Sequence, residues 1–199
     1  MNEIVQLKIT LTGSKPSIWR RVLVKRDIMF DELHVIFQLV MGWENEHLYD
    51  FETKKFIIGE HEEDDFVYGD RKKLLDSMTT RLESIVSEKK FIYTYDFGDG
   101  WRHNILIEKI KDIDEKIKYP MCIGGKLRCP PEDCGGLGGF YSMLEAVKDK
   151  NHPEHKESKR WLGTKSYDVE LFDINKVNKK LLSLDVYVKE FNEMRDLQF

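Results

Sequence analysis

Residues 93–103 read YTYDFGDGWRH. Asp96, Asp99, Arg102 and His103 crowd this stretch between aromatic residues. Carboxylate and imidazole groups coordinate cations and move protons, so the cluster is a candidate site. Turn chemistry accounts for part of it without any ligand. Asp99-Gly100 suits a hairpin tip, where φ > 0 is tolerated, and Asp96 can accept amides across the turn.

A second concentration follows in YPMCIGGKLRCPPEDCGGLGG, residues 119–139. It holds all three cysteines, Cys122, Cys129 and Cys134. With His103 they would make a three-cysteine, one-histidine zinc set. Structural zinc sites use a tight cysteine pair, and only Cys129 and Cys134 approach that spacing. The alternative is three small buried hydrophobes. Glu132 and Asp133 follow two prolines that stiffen the approach, and could cap a helical turn or face Arg102 or Arg128. The run GGLGG raises phosphate binding at a helix N-terminus, yet no Walker lysine and serine follow, which favours a tight turn against the core. No nucleophile elbow, dinucleotide fingerprint or HExxH motif is present. Acid–base chemistry would therefore draw on Asp96, Asp99, His103, Glu132 or Asp133.

A third cluster is basic. Arg20, Arg21, Lys25 and Arg26 are candidate contacts for nucleic acid or a protein partner. Their alternative role is to keep an edge strand soluble. A net charge of −4 and a pI near 5.9 weigh against a dedicated nucleic-acid binder. No apolar run reaches the ~20 residues of a membrane span, and the first residues lack a secretion signal. Together with an odd number of cysteines, this points to the cytoplasm.

These residues need elements to position them. Residues 3–12 alternate apolar and polar, and 18–24 resume after a Gly-Ser-Lys-Pro turn, which predicts a strand hairpin. Residues 27–42 change to a three- and four-residue apolar period and predict an amphipathic helix stopped by Gly42. Short apolar runs follow at 47–51 and 55–58, broken by Gly59, then an acidic solvated loop at 60–65. Thr79 or Thr80 with Glu83 resembles a capping box for a short helix. Residues 91–97 and 101–110 form the clearest hairpin, with Phe91, Tyr93, Tyr95 and Phe97 on one face. Residues 119–139 are irregular, and helices are expected at 140–150, 155–162, 174–184 and beyond 185. Strands first and helices last predict one α+β domain over residues 1–199.

Four blocks together resemble a known family. They are Trp19-Arg20-Arg21 with Leu33-His34, Gly42-Trp43 and His47-Leu48; YDFGDGWRH at 95–103; Cys122 with Gly124-Gly125 and CPPEDCGG at 129–136; and Trp161 with Phe172-Asp173 and Val177-Asn178. The chain resembles the plasmid pRiA4b ORF-3-like family, whose members also occur as passengers of an insertion sequence. The resemblance implies a curved, mostly antiparallel and partly barrel-like sheet. It brings no established activity. Tyr49 stands where the family pattern implies a second histidine, which weakens a metal site on the first block. The expected arrangement packs the PPED loop over the hairpin tip. Asp96, Asp99, His103, Glu132 and Asp133 would then line one cleft floored by Trp101 and Tyr95. The favoured function is a non-enzymatic interaction module; the alternative is a metal- or ligand-dependent enzyme using that cleft.

Overall fold

The computed structural model describes residues 2–60, 72–163 and 167–196. Residues 61–65 of the acidic run lie outside them. Strand β1 (Glu3–Leu11) pairs antiparallel with β2 (Trp19–Lys25). Helix α1 (Phe30–Met41) follows and ends on Gly42, whose φ of 93° gives the left-handed cap that glycine adopts without penalty. Strands β3 (Tyr49–Glu52), β4 (Phe56–Gly59) and β5 (Lys73–Asp76) lead to the hairpin of β6 (Lys90–Tyr95) and β7 (Trp101–Asp112). Strand β8 (Met121–Lys126) completes a sheet of eight strands in the order β5-β4-β3-β6-β7-β1-β2-β8. All pairs are antiparallel except β4 with β5. The sheet is open, with β5 and β8 as its edges, so the expected barrel-like closure does not occur.

Helices α2 (Gly136–Lys148), α3 (His155–Trp161), α4 (Ile174–Leu181) and α5 (Leu184–Asp196) follow the sheet. Helix α4 packs on β8, and both α4 and α5 touch α1. Asn178 on α4 clamps the edge strand from both sides. Its side chain accepts the Cys122 amide at 2.8 Å and donates to the Cys122 carbonyl at 2.9 Å. The residues after Thr79 form two short 3-10 turns, not the expected capped helix.

Two local departures have clear causes. Strand β8 lies inside the segment expected to be irregular. Gly124 and Gly125 disguise it, because glycine is poor in strands unless a close neighbour requires it. Here a Cβ on Gly124 would touch the Trp19 ring at 3.5 Å, and one on Gly125 would meet the Phe172 ring at 2.5 Å. Phe97 leaves the face shared by Phe91, Tyr93 and Tyr95 and is exposed. Asp96 has φ 53°, which ends the strand and turns the chain before Phe97.

The core between α1 and the sheet encloses two histidines. Gln38 donates to the Tyr93 hydroxyl oxygen, Tyr93 donates to His34 Nδ1, and His34 Nε2 donates to Asn45. This donor chain selects neutral, Nε2-protonated His34. Tyr49 stacks on that ring, with centroids 3.5 Å apart. The tyrosine found in place of a second histidine is thus a packing partner. His103 lies fully buried against Trp43 and Tyr93.

Burial holds both imidazoles down at about 3, against an ordinary 6.5. The unfolded chain therefore binds the extra protons between about pH 3 and 6.5. Their stabilising effect is complete above that window and is lost as pH falls through it. Urea midpoints should drop from pH 7 to pH 5, by about 1.4 kcal/mol per pH unit per histidine at most. His34→Gln should give a shallower slope than the parent, and an unchanged slope would refute the assignment.

Candidate functional site

The hairpin tip and the PPED loop do meet. Asp96 accepts the amides of Gly98 and Asp99 at 2.9 and 3.2 Å, which shapes the turn. Positive φ falls on Asp96 and Gly100 and not on Asp99. Asp99 is thereby free to reach across. Its carboxylate accepts the amides of Cys134 and Gly135, both at 3.1 Å. The glycines behind this contact are there for space. A Cβ on Gly136 would sit 2.5 Å from the Asp99 carbonyl oxygen, and one on Gly139 only 1.8 Å from the Cys134 carbonyl oxygen. GGLGG is thus the N-cap and close-packed first turn of α2.

The loop after α1 supplies the other wall. Trp43 stacks on Tyr95 with centroids 5.3 Å apart, and its indole donates to the Pro130 carbonyl at 3.0 Å. Glu132 accepts from the Glu44 amide at 2.7 Å and from the Tyr95 hydroxyl. Burial raises the Glu132 carboxyl, while these two donors oppose the rise. Beside it, His47 Nε2 lies 3.1 Å from Asp133 Oδ1 and 3.9 Å from Asp96 Oδ2. One donor atom each from His47, Asp96 and Asp133 lie within 4.8 Å of one another. Among the described residues this is the one such cluster of three or more metal-ligating groups.

The expected cleft is therefore partly assembled and partly redistributed. Asp96 and Asp133 converge on His47, while Glu132 turns to Tyr95 and Glu44. Asp99 serves as the clasp between the two loops. Trp101 and His103 do not line an opening: they are 1% and 0% exposed and belong to the core, because alternation along β7 turns both inward with Ile105. His47 takes the imidazole position that His103 was expected to fill. Its signal was proximity to Trp43 in one sequence block, but loop residues carry no periodicity that says where they point.

The zinc set does not form. Cys122, Cys129, Cys134 and His103 make no metal-ligating group among the described residues. The three thiols are buried and unpaired. Cys129 packs on the Met41 sulfur at 3.4 Å, and Cys134 approaches the Gly136 carbonyl at 3.7 Å. Burial raises all three, Cys129 to about 11 and Cys134 to about 12. They are neutral, hydrophobic fillers near pH 7.

The basic cluster is not an open contact surface either. Arg20 is only 2% exposed, since β2 alternation turns it inward with Val22 and Val24. Arg21 is held by Glu108 through two hydrogen bonds of 2.7 and 2.8 Å. Arg26 pairs with Glu3. Lys25 alone of the four is exposed.

Two outcomes follow from this geometry. Asp99→Ala removes two charge-assisted bonds and should cost about 2 kcal/mol in denaturant unfolding; a change within error would refute the clasp. Native protein should show negligible reaction with a disulfide-exchange reagent, and all three thiols should react after unfolding. Rapid native labelling would contradict the burial.

The sequence matches the description "Plasmid pRiA4b ORF-3-like protein" over residues 3–176. It is 37% identical over 179 residues to the uncharacterized protein y4hQ of Sinorhizobium fredii, covering 88% of this chain and 89% of the relative. The crystal structure of the protein of unknown function MM3350 from Methanosarcina mazei Go1 superposes with a TM-score of 0.77 at 36% identity, covering 87% of this chain and 96% of that one. Neither relative has an assigned activity, and the chain belongs to the plasmid pRiA4b ORF-3-like protein family.

Proposed function

We propose that this protein binds a divalent metal ion at the hairpin tip through His47, Asp96 and Asp133. The observation that carries this reading is the convergence of the three donor atoms within 4.8 Å. One imidazole and two carboxylates suit zinc, manganese or iron(II) better than calcium, which prefers all-oxygen sites. Three protein donors leave coordination positions for water or a ligand, as catalytic sites do and structural ones do not. Glu132, next in sequence to Asp133, is held by the Glu44 amide and the Tyr95 hydroxyl and supports the loop that carries Asp133. The interaction-module reading loses support because Arg20, Arg21 and Arg26 are engaged within the fold.

We read residues 1–199 as one domain, on the packing of α4 and α5 against α1. Three unpaired thiols fit a reducing compartment such as the cytoplasm. No helix among the described residues is long and apolar enough to cross a membrane.

Isothermal titration of chelator-treated protein with manganese or zinc should reveal one site per chain. His47→Gln and Asp133→Asn should each weaken it at least roughly tenfold, about 1.4 kcal/mol. Lys148→Gln, in an exposed helical ion pair, should not. No binding, or equal binding by all variants, would overturn the proposal.

A further inference from the structure

A pocket of about 440 Å³ lies beside the His47 cluster and shares Asp133 with it. That volume is in the range of small-ligand sites. Four cationic side chains line the pocket: Arg20, Arg128, Lys176 and Lys180. Among the described residues none of the four forms an ion pair.

Arg20 is the decisive member. Its Nε donates to the Val40 carbonyl at 2.8 Å, and its Nη1 donates to the carbonyls of Trp19 and Lys126 at 2.8 and 3.0 Å. The Phe172 ring covers the guanidinium, 4.1 Å from its carbon. These carbonyls fix the side chain and leave its positive charge uncompensated. Nη2 has no hydrogen-bond partner among the described residues. A buried charge without a counter-charge is expensive and persists where something else supplies the opposite sign. Arg128 is exposed, and its guanidinium carbon lies 4.5 Å over the Tyr167 ring. Lys176 and Lys180 are one helical turn apart and share a face of α4.

The pocket's carboxylates form no direct ion pair with these cations among the described residues. Asp173 caps α4 by accepting the amides of Asn175 and Lys176. Glu132 is engaged by Tyr95 and Glu44, and Asp133 by His47. Glu44 and Glu46 also line the pocket and are exposed, as are Arg128 and Lys176, which leaves Arg20 as the buried charge.

We propose that this pocket binds a phosphate-bearing small molecule, with Arg20 as its fixed buried cation and Arg128, Lys176 and Lys180 closing on the phosphoryl oxygens. Several cations from separate elements suit a group with several charged oxygens better than a single carboxylate. The inference goes beyond the cation site and does not require it.

The test is calorimetric titration of the full chain, chelator-treated and at low salt, with orthophosphate, pyrophosphate and a nucleoside diphosphate. Saturable pyrophosphate binding is expected, weakened by added salt and reduced roughly tenfold by Arg128→Gln or Lys180→Gln. Tighter binding of the nucleoside diphosphate would assign an organic phosphate; equal or weaker binding would assign the inorganic ion. Arg20→Lys, checked for folding by circular dichroism, should also bind less tightly. No saturable binding of any of the three at millimolar concentration would overturn the proposal. So would binding that Arg128→Gln and Lys180→Gln both leave unchanged. His47→Gln should still bind pyrophosphate, so failure of the cation site and failure of this pocket are read separately.

Discussion

The Asp99 carboxylate, accepting the Cys134 and Gly135 amides, joins two segments that are 35 residues apart in the chain. That clasp docks the start of α2 against the hairpin tip. Unclasped, the PPED loop would have only the contacts of Trp43, Glu44 and Tyr95 to hold it. The convergence of Asp133 with His47 and Asp96 is a second-order result of this docking. It explains why glycine recurs on the loop side: the backbones approach so closely at Gly136 and Gly139 that a methyl group has no room.

The same end of the fold separates its charges by layer. Groups turned inward by strand alternation or by the buried face of α1 are neutral or held rigidly: His103 on β7, the chain of His34 and Gln38 on α1 with Tyr93 on β6, and Arg20 on β2. Groups carried by loops remain adjustable: His47, Asp133 and Arg128. A buried frame with adjustable donors above it is the arrangement a binding site needs, because rigid support lowers the cost of ordering the ligand. The cation cluster and the cationic pocket share Asp133, so occupancy of one would alter the field at the other.

Much of the fold was legible in the residues because periodicity reports local geometry directly. The β1–β2 hairpin, α1 with its Gly42 stop, and the β6–β7 hairpin follow from spacing alone, and their bounds shift by only a few positions. Strand β8 was illegible because its glycines answer to Trp19 and Phe172, residues distant in sequence. The sign of an alternation was equally hidden. Spacing places Arg20 opposite Trp19 and Arg21, and puts Trp101 and His103 on one face; it does not say which face of the sheet α1 covers.

For the site, the residue types were present in sequence: carboxylates and histidine near a hairpin tip, beside a rigid Gly/Pro loop. That the two loops meet was an inference from the family resemblance, and the clasp realises it. The choice of His47 over His103, and the conversion of Arg20 from surface contact to buried pocket cation, belong to tertiary structure. The physical reason is one and the same. Local patterns determine the direction of a side chain relative to its own strand or turn, whereas exposure and partnership depend on which surface another element comes to cover.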